Sequence, residues 1–368
     1  MVTVRSTLSR TVSWHRPLML FAGLMVLSTV VSLVGLLVDD RVLVGDPIWL
    51  KPFKFSISLM IYAVTWAWLL SLQRKRRRWV WWASTAIAVL AAVEMVVIIG
   101  QVIRGEMSHF NVSSAFNAAL FSIMGFSIVA LWVLTLVQGI VLLRDRIADP
   151  PIALAIRAGV LLGLVGMALA FFMTGPTPEQ LDALRAGEDV DVIGAHSVGV
   201  ADGGHGMPIT GWSTTGGDLR IPHFVGIHAM QALPLFGLGL TAMVRRFGSR
   251  GWLVRLTDEG ARLRLVWVAA SAYAGLLALV TWQALRGQPL LAPDAWTLLA
   301  VATLITGTAI GVGIAVSGTQ SAVSGTADAV SRAQDAVSHT PDAVSRAQDI
   351  VSRAPDNVSH SHDTEAAR

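Results

Sequence analysis

The chain has 368 residues, of which 54% are hydrophobic and 14% charged, and its mean hydropathy is +0.60. This balance excludes a soluble globular protein and indicates an integral membrane protein. The formal net charge of +4 requires no nucleic-acid partner, because basic residues facing anionic lipid give the same excess. The absence of cysteine from the sequence excludes disulfides and thiolate metal sites, so a metal would need His, Asp or Glu ligands.

Apolar runs long enough to cross a bilayer, at about 20 residues each, recur along the sequence. They lie at residues 18–38, 55–72, 79–103, 114–143, 152–173, 223–244, 265–285 and 296–316. The sequence therefore predicts an all-α integral membrane protein that is embedded in the lipid bilayer. Its transmembrane domain covers residues 18–316, after a cytoplasmic N-terminus at residues 1–17.

Basic residues indicate which ends of the spans face the cytoplasm. The segments before the first span and after the second, fourth and sixth hold sixteen Lys and Arg, against seven in the alternate segments. Trp79 and Trp82 at predicted inner boundaries, and Trp49 and Trp296 at outer ones, fit an interfacial belt. We therefore expect both termini in the cytoplasm and the chain in the inner (plasma) membrane of a bacterium.

Two of the three lysines in the chain, Lys51 and Lys54, stand in one tetrapeptide at the start of the second span. A compact ammonium there suits an anionic headgroup or an acidic partner such as Asp46. The favoured interpretation is simpler, namely that both side chains reach to the membrane interface.

The third span contains Glu94, the only carboxylate well inside any predicted span. Gln101 shares its helical face and Arg104 lies about one turn further on. A carboxyl group in a membrane interior indicates a functional site, although a hydrogen bond that packs two helices is the alternative. The short turn that follows, with Glu106 and His109, keeps its side chains beside the ends of the third and fourth spans.

Residues 174–222 form one long extracytoplasmic loop. Thr177, Pro178 and Gln180 predict a short capped helix at its start. The glycine-rich remainder carries His196, Asp202 and His205. A long ordered loop above a helix bundle is more often a lid or the wall of a site than a spacer.

The loop runs directly into the sixth span, where Asp218, Arg220, His223 and His228 occur within eleven residues. Pro222 suits a first helical turn, so the two histidines are predicted to lie on the first turns of a membrane helix. Polar groups at that position are costly and need partners.

The segment at residues 317–368 repeats every seven residues. The repeat lacks a second apolar position, and Pro341 and Pro355 interrupt it. We expect a disordered low-complexity tail that is free to bind a cytoplasmic partner.

All histidines other than His15 and those of the tail map to the predicted outer side, together with Arg104, Glu106, Asp202, Asp218 and Arg220. The residues assigned to catalysis are Glu94, Arg104, Glu106, Asp218 and Arg220. Those assigned to cofactor binding are His109 and His228, and those assigned to a metal are His196, Asp202, His205 and His223. No spacing among these residues is diagnostic of a particular cofactor. Both a metal ion and haem therefore stay open.

The strings RGEMSHFN and STTGGDLRIPHFVGIHAMQ resemble motifs of a bacterial family of multi-spanning membrane proteins with no assigned activity. The resemblance covers roughly residues 50–245 and implies no mechanism. Three functions stay open: a metal- or haem-dependent membrane enzyme or redox protein, a transporter or receptor for a small solute or proton, and a structural membrane partner protein. The first two imply a small-molecule ligand at the outer face.

Overall fold

The computed structural model describes residues 14–338 apart from residues 74, 76, 146, 148, 249 and 250. The helices in this part of the chain are α1 (Arg16–Val38), α2 (Leu50–Ser71), α3 (Arg78–Arg104), α4 (Ala115–Arg144), α5 (Pro150–Leu169), α6 (Pro178–Ala186), α7 (Arg220–Phe247), α8 (Glu259–Leu285) and α9 (Ala295–Ser338), with short 3-10 helices at Ala170–Met173 and Gly251–Thr257. Two antiparallel pairs of two-residue strands complete it: β1 (Val42–Leu43) with β2 (Asp46–Pro47), and β3 (Ser197–Val198) with β4 (Gly217–Asp218).

Eight of these described helices, all except α6, are long and apolar enough to cross a membrane. Their most apolar stretches have mean hydropathies from 1.4 to 2.5. A helix suits the bilayer because it satisfies its own backbone hydrogen bonds where no water is present. The prediction of eight spans in an all-α, multi-pass membrane protein is confirmed at this level.

Local sequence sets the helix ends. Asp149 caps α5 ahead of Pro150, and Ser114 caps α4 with its side chain. Helix α3 stops at Gly105, whose φ of 77° is left-handed and therefore favours glycine. The turn that begins at Gly105 brings the chain back into α4, and His109 of this turn contacts Glu94 of α3.

Helices α5 and α7 make the most extensive helix contact among the described residues. Gly159, Gly163 and Gly166 of α5 lie against α7, where a Cβ atom on Gly166 would meet the backbone of Gly226, and one on Gly163 would meet the side chain of Met230. Small residues allow helices to approach closely in lipid, where hydrophobic burial gives no driving force. The spacing of Gly159 and Gly163 is the sequence signal for this contact.

Hydrogen bonds between side chains join the first four helices inside the bundle. They link Ser28 to Ser56 at 2.7 Å, Tyr62 to Thr135 at 2.7 Å, and Ser84 to Gln138 at 2.6 Å. Each pair satisfies polar groups that would be costly alone in an apolar interior. These contacts fix α2 and α3 relative to α4, and so position the ends of α2 and α3 that contribute to the site below.

The chain divides into two compact units, residues 1–316 and 317–368. The predicted disordered tail coincides with the second unit. Helix α9 is assigned as far as Ser338, and residues 339–368 lie outside the described residues, as does most of the predicted N-terminal segment. The tail and the topology therefore stay predictions.

Candidate functional site

The connection between α5 and α7 covers one end of the helix bundle, which we call the loop end. Backbone hydrogen bonds hold it to the α3–α4 turn: Val112 N donates to Asp191 O at 2.8 Å, and Ile193 N donates to Phe110 O at 2.9 Å. The short helix predicted in this loop is present as α6, with the expected capping box at Thr177. The loop is therefore a fixed wall of the molecule.

A cavity of about 1190 Å³ lies at the loop end, between this loop, the β1–β2 hairpin, the start of α2 and the α3–α4 turn. Its charged and imidazole-bearing lining residues are Asp46, Lys51, Lys54, Glu106, His109, Glu179, His196, Asp202 and Arg220. Five residues assigned to the site from sequence are thus brought together: Glu106, His109, His196, Asp202 and Arg220.

Glu94 lies behind His109, buried in α3 with 1% of its surface exposed. Nε2 of His109 is 3.3 Å from Oε1 of Glu94, within ion-pair distance, yet neither carboxyl oxygen accepts a hydrogen bond within the described part of the chain. Burial, followed by the positive charge of Lys51, holds the pKa of His109 well below its usual value. A neutral imidazole in contact with a carboxyl group and open to a cavity can pass a proton between them.

Lys51 lies on the first turn of α2 and lines the same cavity. Its ammonium makes no hydrogen bond and no ion pair with any residue that the structure describes. It is near enough to Glu94 to interact with that carboxyl group electrostatically. The cavity wall therefore contains a cation with no direct partner.

His196 and Asp202 form a hydrogen-bonded pair on the loop side of the cavity. His196 Nδ1 donates to Asp202 Oδ2 at 2.8 Å, and the same carboxylate accepts the backbone N–H groups of His196 and Ser197. Burial opposes ionisation of Asp202, but these bonds hold its pKa below its usual range. Burial in turn lowers the pKa of His196. The pair presents a fixed imidazole to the cavity.

Asp218 and Arg220 form a second, more deeply buried pair. Asp218, 1% exposed, accepts from Arg220 Nη2 at 2.6 Å and Nε at 2.9 Å, and from Ser213 N at 2.8 Å. Arg220 Nη2 also donates to the carbonyl of Gly211 at 2.6 Å. Both residues were assigned to catalysis from sequence. Their contacts are those of a clamp that ties the glycine-rich loop to the start of α7.

Arg104 and Gln101 lie at the end of α3 in a cluster with Asn117 of α4. Arg104 donates to both, at 3.0 Å to Asn117 Oδ1, and Gln101 Nε2 donates to Asn117 Oδ1 at 3.1 Å. The predicted polar stripe on α3 is therefore divided. Glu94 faces His109, whereas Gln101 and Arg104 fasten the turn.

Glu106 follows Arg104 in the turn, but it lines the cavity. One of its oxygens, Oε2, accepts a hydrogen bond from Asn111 Nδ2 at 3.1 Å. Of the two charged residues predicted in this turn, only Glu106 is thus placed where a solute in the cavity could meet it.

The remaining histidines have separate surroundings. On α7, His223 Nδ1 donates to the carbonyl of Gly166 at 2.8 Å, and His228 Nδ1 donates to Gln231 Oε1 at 3.2 Å. His205 is exposed on the loop. His223 and His228 therefore serve different contacts, as their spacing on a helix suggests.

The four residues assigned to a metal are not brought into one group. Among the described residues there is no set of three or more His, Asp or Glu that could hold a metal ion. His196 and Asp202 bond to each other, while His205 and His223 lie elsewhere in the loop and on α7.

The site residue that sequence reasoning placed elsewhere is Lys51. The favoured interpretation put Lys51 and Lys54 at the membrane interface, whereas both line the cavity. Lysine is rare in a chain rich in arginine, and that rarity is the sequence signal that singles out these two positions.

Comparison of the chain with protein-family models, with curated proteins and with solved structures returned no match. The motif resemblance stays a prediction, and the function has to be argued from the site itself.

Proposed function

We propose that the protein is a multi-pass membrane receptor or transporter that binds a small polar solute in the loop-end cavity. The observation that carries this proposal is the cavity itself: about 1190 Å³, enclosed by a loop that backbone hydrogen bonds hold in place, with charged and imidazole groups in its wall. A concave site with a few placed polar groups is the usual form of a small-molecule site.

The contact between His109 and Glu94 supports a link between solute binding and proton movement. His109 lines the cavity, and its Nε2 is 3.3 Å from a carboxyl group inside a membrane helix. Ionisable groups at such depth commonly belong to ion or proton paths. In this proposal His109 relays a proton between the bound solute and Glu94.

The side from which the solute enters is also part of the proposal. We propose that the loop end faces away from the cytoplasm of a bacterial plasma membrane, with both termini inside. The support is the excess of Lys and Arg in the segments at the other end, sixteen against seven.

Solute binding can be tested on the purified full-length protein in detergent micelles, with a library of small polar metabolites and thermal unfolding as the readout. A solute at about 100 times its Kd should stabilise the folded state by about 2.7 kcal/mol, which raises Tm. We expect at least one chemical class to do so. A library with no effect on Tm would contradict the proposal.

A cavity-filling variant makes this test specific. Ala201→Trp places an indole in the cavity wall at an exposed loop position and should abolish the Tm shift. Ala186→Trp makes the same change in the same loop, at an exposed position outside the cavity wall, and should keep the shift. Equal shifts in both variants would place the solute elsewhere.

A second function, acid–base catalysis on the bound solute, is favoured by the same pair of residues. His109 and Glu94 have the contact that a general base and its partner need, with the imidazole open to the cavity. Mass spectrometry of a stabilising solute after incubation with the protein would detect a product. Glu94→Gln should then still bind the solute but no longer convert it. A solute recovered unchanged from the wild type would exclude catalysis on that solute and favour transport or reception.

A further inference from the structure

The three cations in the cavity wall are unequally engaged. Lys54 Nζ donates to the carbonyl of Thr210 at 2.8 Å. Arg220 is held by Asp218 on two nitrogens and also donates to a loop carbonyl. Both cations therefore use donors to fix the loop, and Arg220 in addition forms an ion pair with Asp218.

Lys51 differs from both because its ammonium has three donors and, within the described residues, no acceptor. The half-buried side chain lines the cavity, so a polar group that enters the cavity can accept hydrogen bonds from its ammonium. Glu94 is close enough for electrostatic attraction but makes no ion pair with it. The ammonium is thus oriented near a carboxyl group and left open on the cavity side.

The start of α2 adds a second, independent preference for an anion. Its first turn holds Lys51 and Pro52, and the residue before it, Trp49, makes no side-chain capping hydrogen bond. The N-terminal turn of a helix carries partial positive charge and unpaired N–H groups. The positive end of the helix and the ammonium therefore lie at the same part of the cavity wall.

We infer that the cavity takes a solute that bears a carboxylate and that Lys51 binds this carboxylate. The inference rests on the proposed solute-binding function and narrows its chemical class. A carboxylate matches one ammonium in charge. A phosphate dianion would bring a second charge towards Asp46, Glu106 and Asp202, which line the same cavity, and the arginine fork suited to phosphate is already occupied by Asp218.

The imidazoles that share the wall complete the recognition. His109 and His196 both have pKa values below the ordinary value, chiefly through burial, so they offer hydrogen bonds without charge. Among the three cations of the wall, Lys51 is then the one with neither a hydrogen bond nor an ion pair to a described residue. The cavity has room for the rest of a solute of metabolite size.

The experiment uses full-length protein in detergent micelles and three matched sets of probes: aliphatic carboxylates of two to eight carbons, their primary amides and the corresponding alkylammonium ions. Thermal unfolding and equilibrium binding are measured for each set. We expect the carboxylates to raise Tm and the other two sets to leave it unchanged. Lys51→Gln should weaken carboxylate binding at least tenfold, whereas Lys75→Gln, an exposed lysine outside the cavity, should not change it.

The folded state of the variant is itself informative. Lys51→Gln removes an ammonium that lacks an internal acceptor, so its Tm without solute should equal or exceed that of the wild type. A second measurement avoids the variant altogether: acetylation of wild-type lysines by a membrane-impermeant reagent, mapped by mass spectrometry. The carboxylate probe should protect Lys51 and leave the labelling of Lys75 unchanged.

The outcomes separate the two proposals. If amides or alkylammonium ions stabilise the protein and carboxylates do not, the carboxylate assignment is overturned and solute binding stands. If carboxylates bind equally well to wild type and Lys51→Gln, or fail to protect Lys51, the assignment of Lys51 is overturned. If neither these probes nor the wider metabolite library affects Tm, the solute-binding function fails as well.

Discussion

At the scale of single residues, His109 should make the stability of the protein depend on pH. Its pKa in the folded state is well below its ordinary value of 6.5, first through burial and then through the positive charge of Lys51. The unfolded chain therefore binds a proton that the folded chain resists, and folded-state stability is lost as pH falls below about 6.5. We expect the fall of pH from 7 to 5 to lower Tm more in the wild type than in His109→Gln.

The control for this pH effect is another histidine of the loop end. His205 is exposed on the loop, so His205→Gln should leave the pH dependence of Tm as it is in the wild type. His196 should retain part of the effect in the His109 variant, because burial lowers its pKa too. Asp202, with a pKa below its usual range, stays ionised between pH 5 and 7 and contributes nothing in that window. Identical pH profiles for wild type and His109→Gln would contradict the assignment.

Asp218 and Arg220 give a second prediction at this scale, on stability. Asp218→Asn leaves the Arg220 guanidinium, whose side chain is 26% exposed, without its charge partner. Loss of one member of a buried ion pair costs about 3 kcal/mol, so the variant should unfold at clearly lower denaturant concentration. The matched control is Asp182→Asn, in a surface pair with Arg185 at 3.3 Å, which should change the free energy of unfolding by at most about 0.5 kcal/mol. Similar losses in both would show that the clamp adds nothing to stability.

At the scale of elements, the contact between α5 and α7 should be unusually sensitive to volume. Gly166→Ala puts a methyl group against the backbone of Gly226 and should destabilise the fold by about 1–3 kcal/mol. It should also disturb the hydrogen bond that the carbonyl of Gly166 accepts from His223 near the start of α7. Gly125→Ala, on α4 with open space around it, should be neutral or stabilising, since alanine favours a helix over glycine. Thermal unfolding of the two variants tests the contrast.

The helices and loops also show which parts of the fold and the site can be predicted from the sequence and which cannot. Eight spans could be predicted because run length and hydropathy are properties of adjacent residues, and α6 could be predicted from Thr177 and the residues just after it. His109 lies over Glu94 because a short turn folds back on its own helix, so that contact was within reach too. Lys51 and His196 join the site from distant segments. Their positions in the site depend on the order of the helices around the bundle, and hydropathy does not predict that order.

At the scale of the whole molecule, the direction in which the cavity opens decides what the protein can sense or carry. The sequence predicts the basic segments at the end opposite the loop, and such segments are retained in the cytoplasm when a membrane protein inserts. Because the sequence has no cysteine, single cysteines report their own accessibility without background. Asp189→Cys in the loop and Lys75→Cys at the other end are both exposed positions. On intact cells, a membrane-impermeant maleimide should label the first, and the second only after permeabilisation.

The reversed labelling pattern would leave the fold and the cavity unchanged but would contradict the proposed orientation. The solute would then come from the cytoplasm, and a proton relayed by His109 to Glu94 would start on that side. Labelling of both cysteines on intact cells would indicate that the protein inserts in both orientations. The sixteen-to-seven difference in basic residues predicts a single orientation. The expected pattern gives the protein a site that samples the space outside the cytoplasm, with a carboxyl group in the membrane directly behind it.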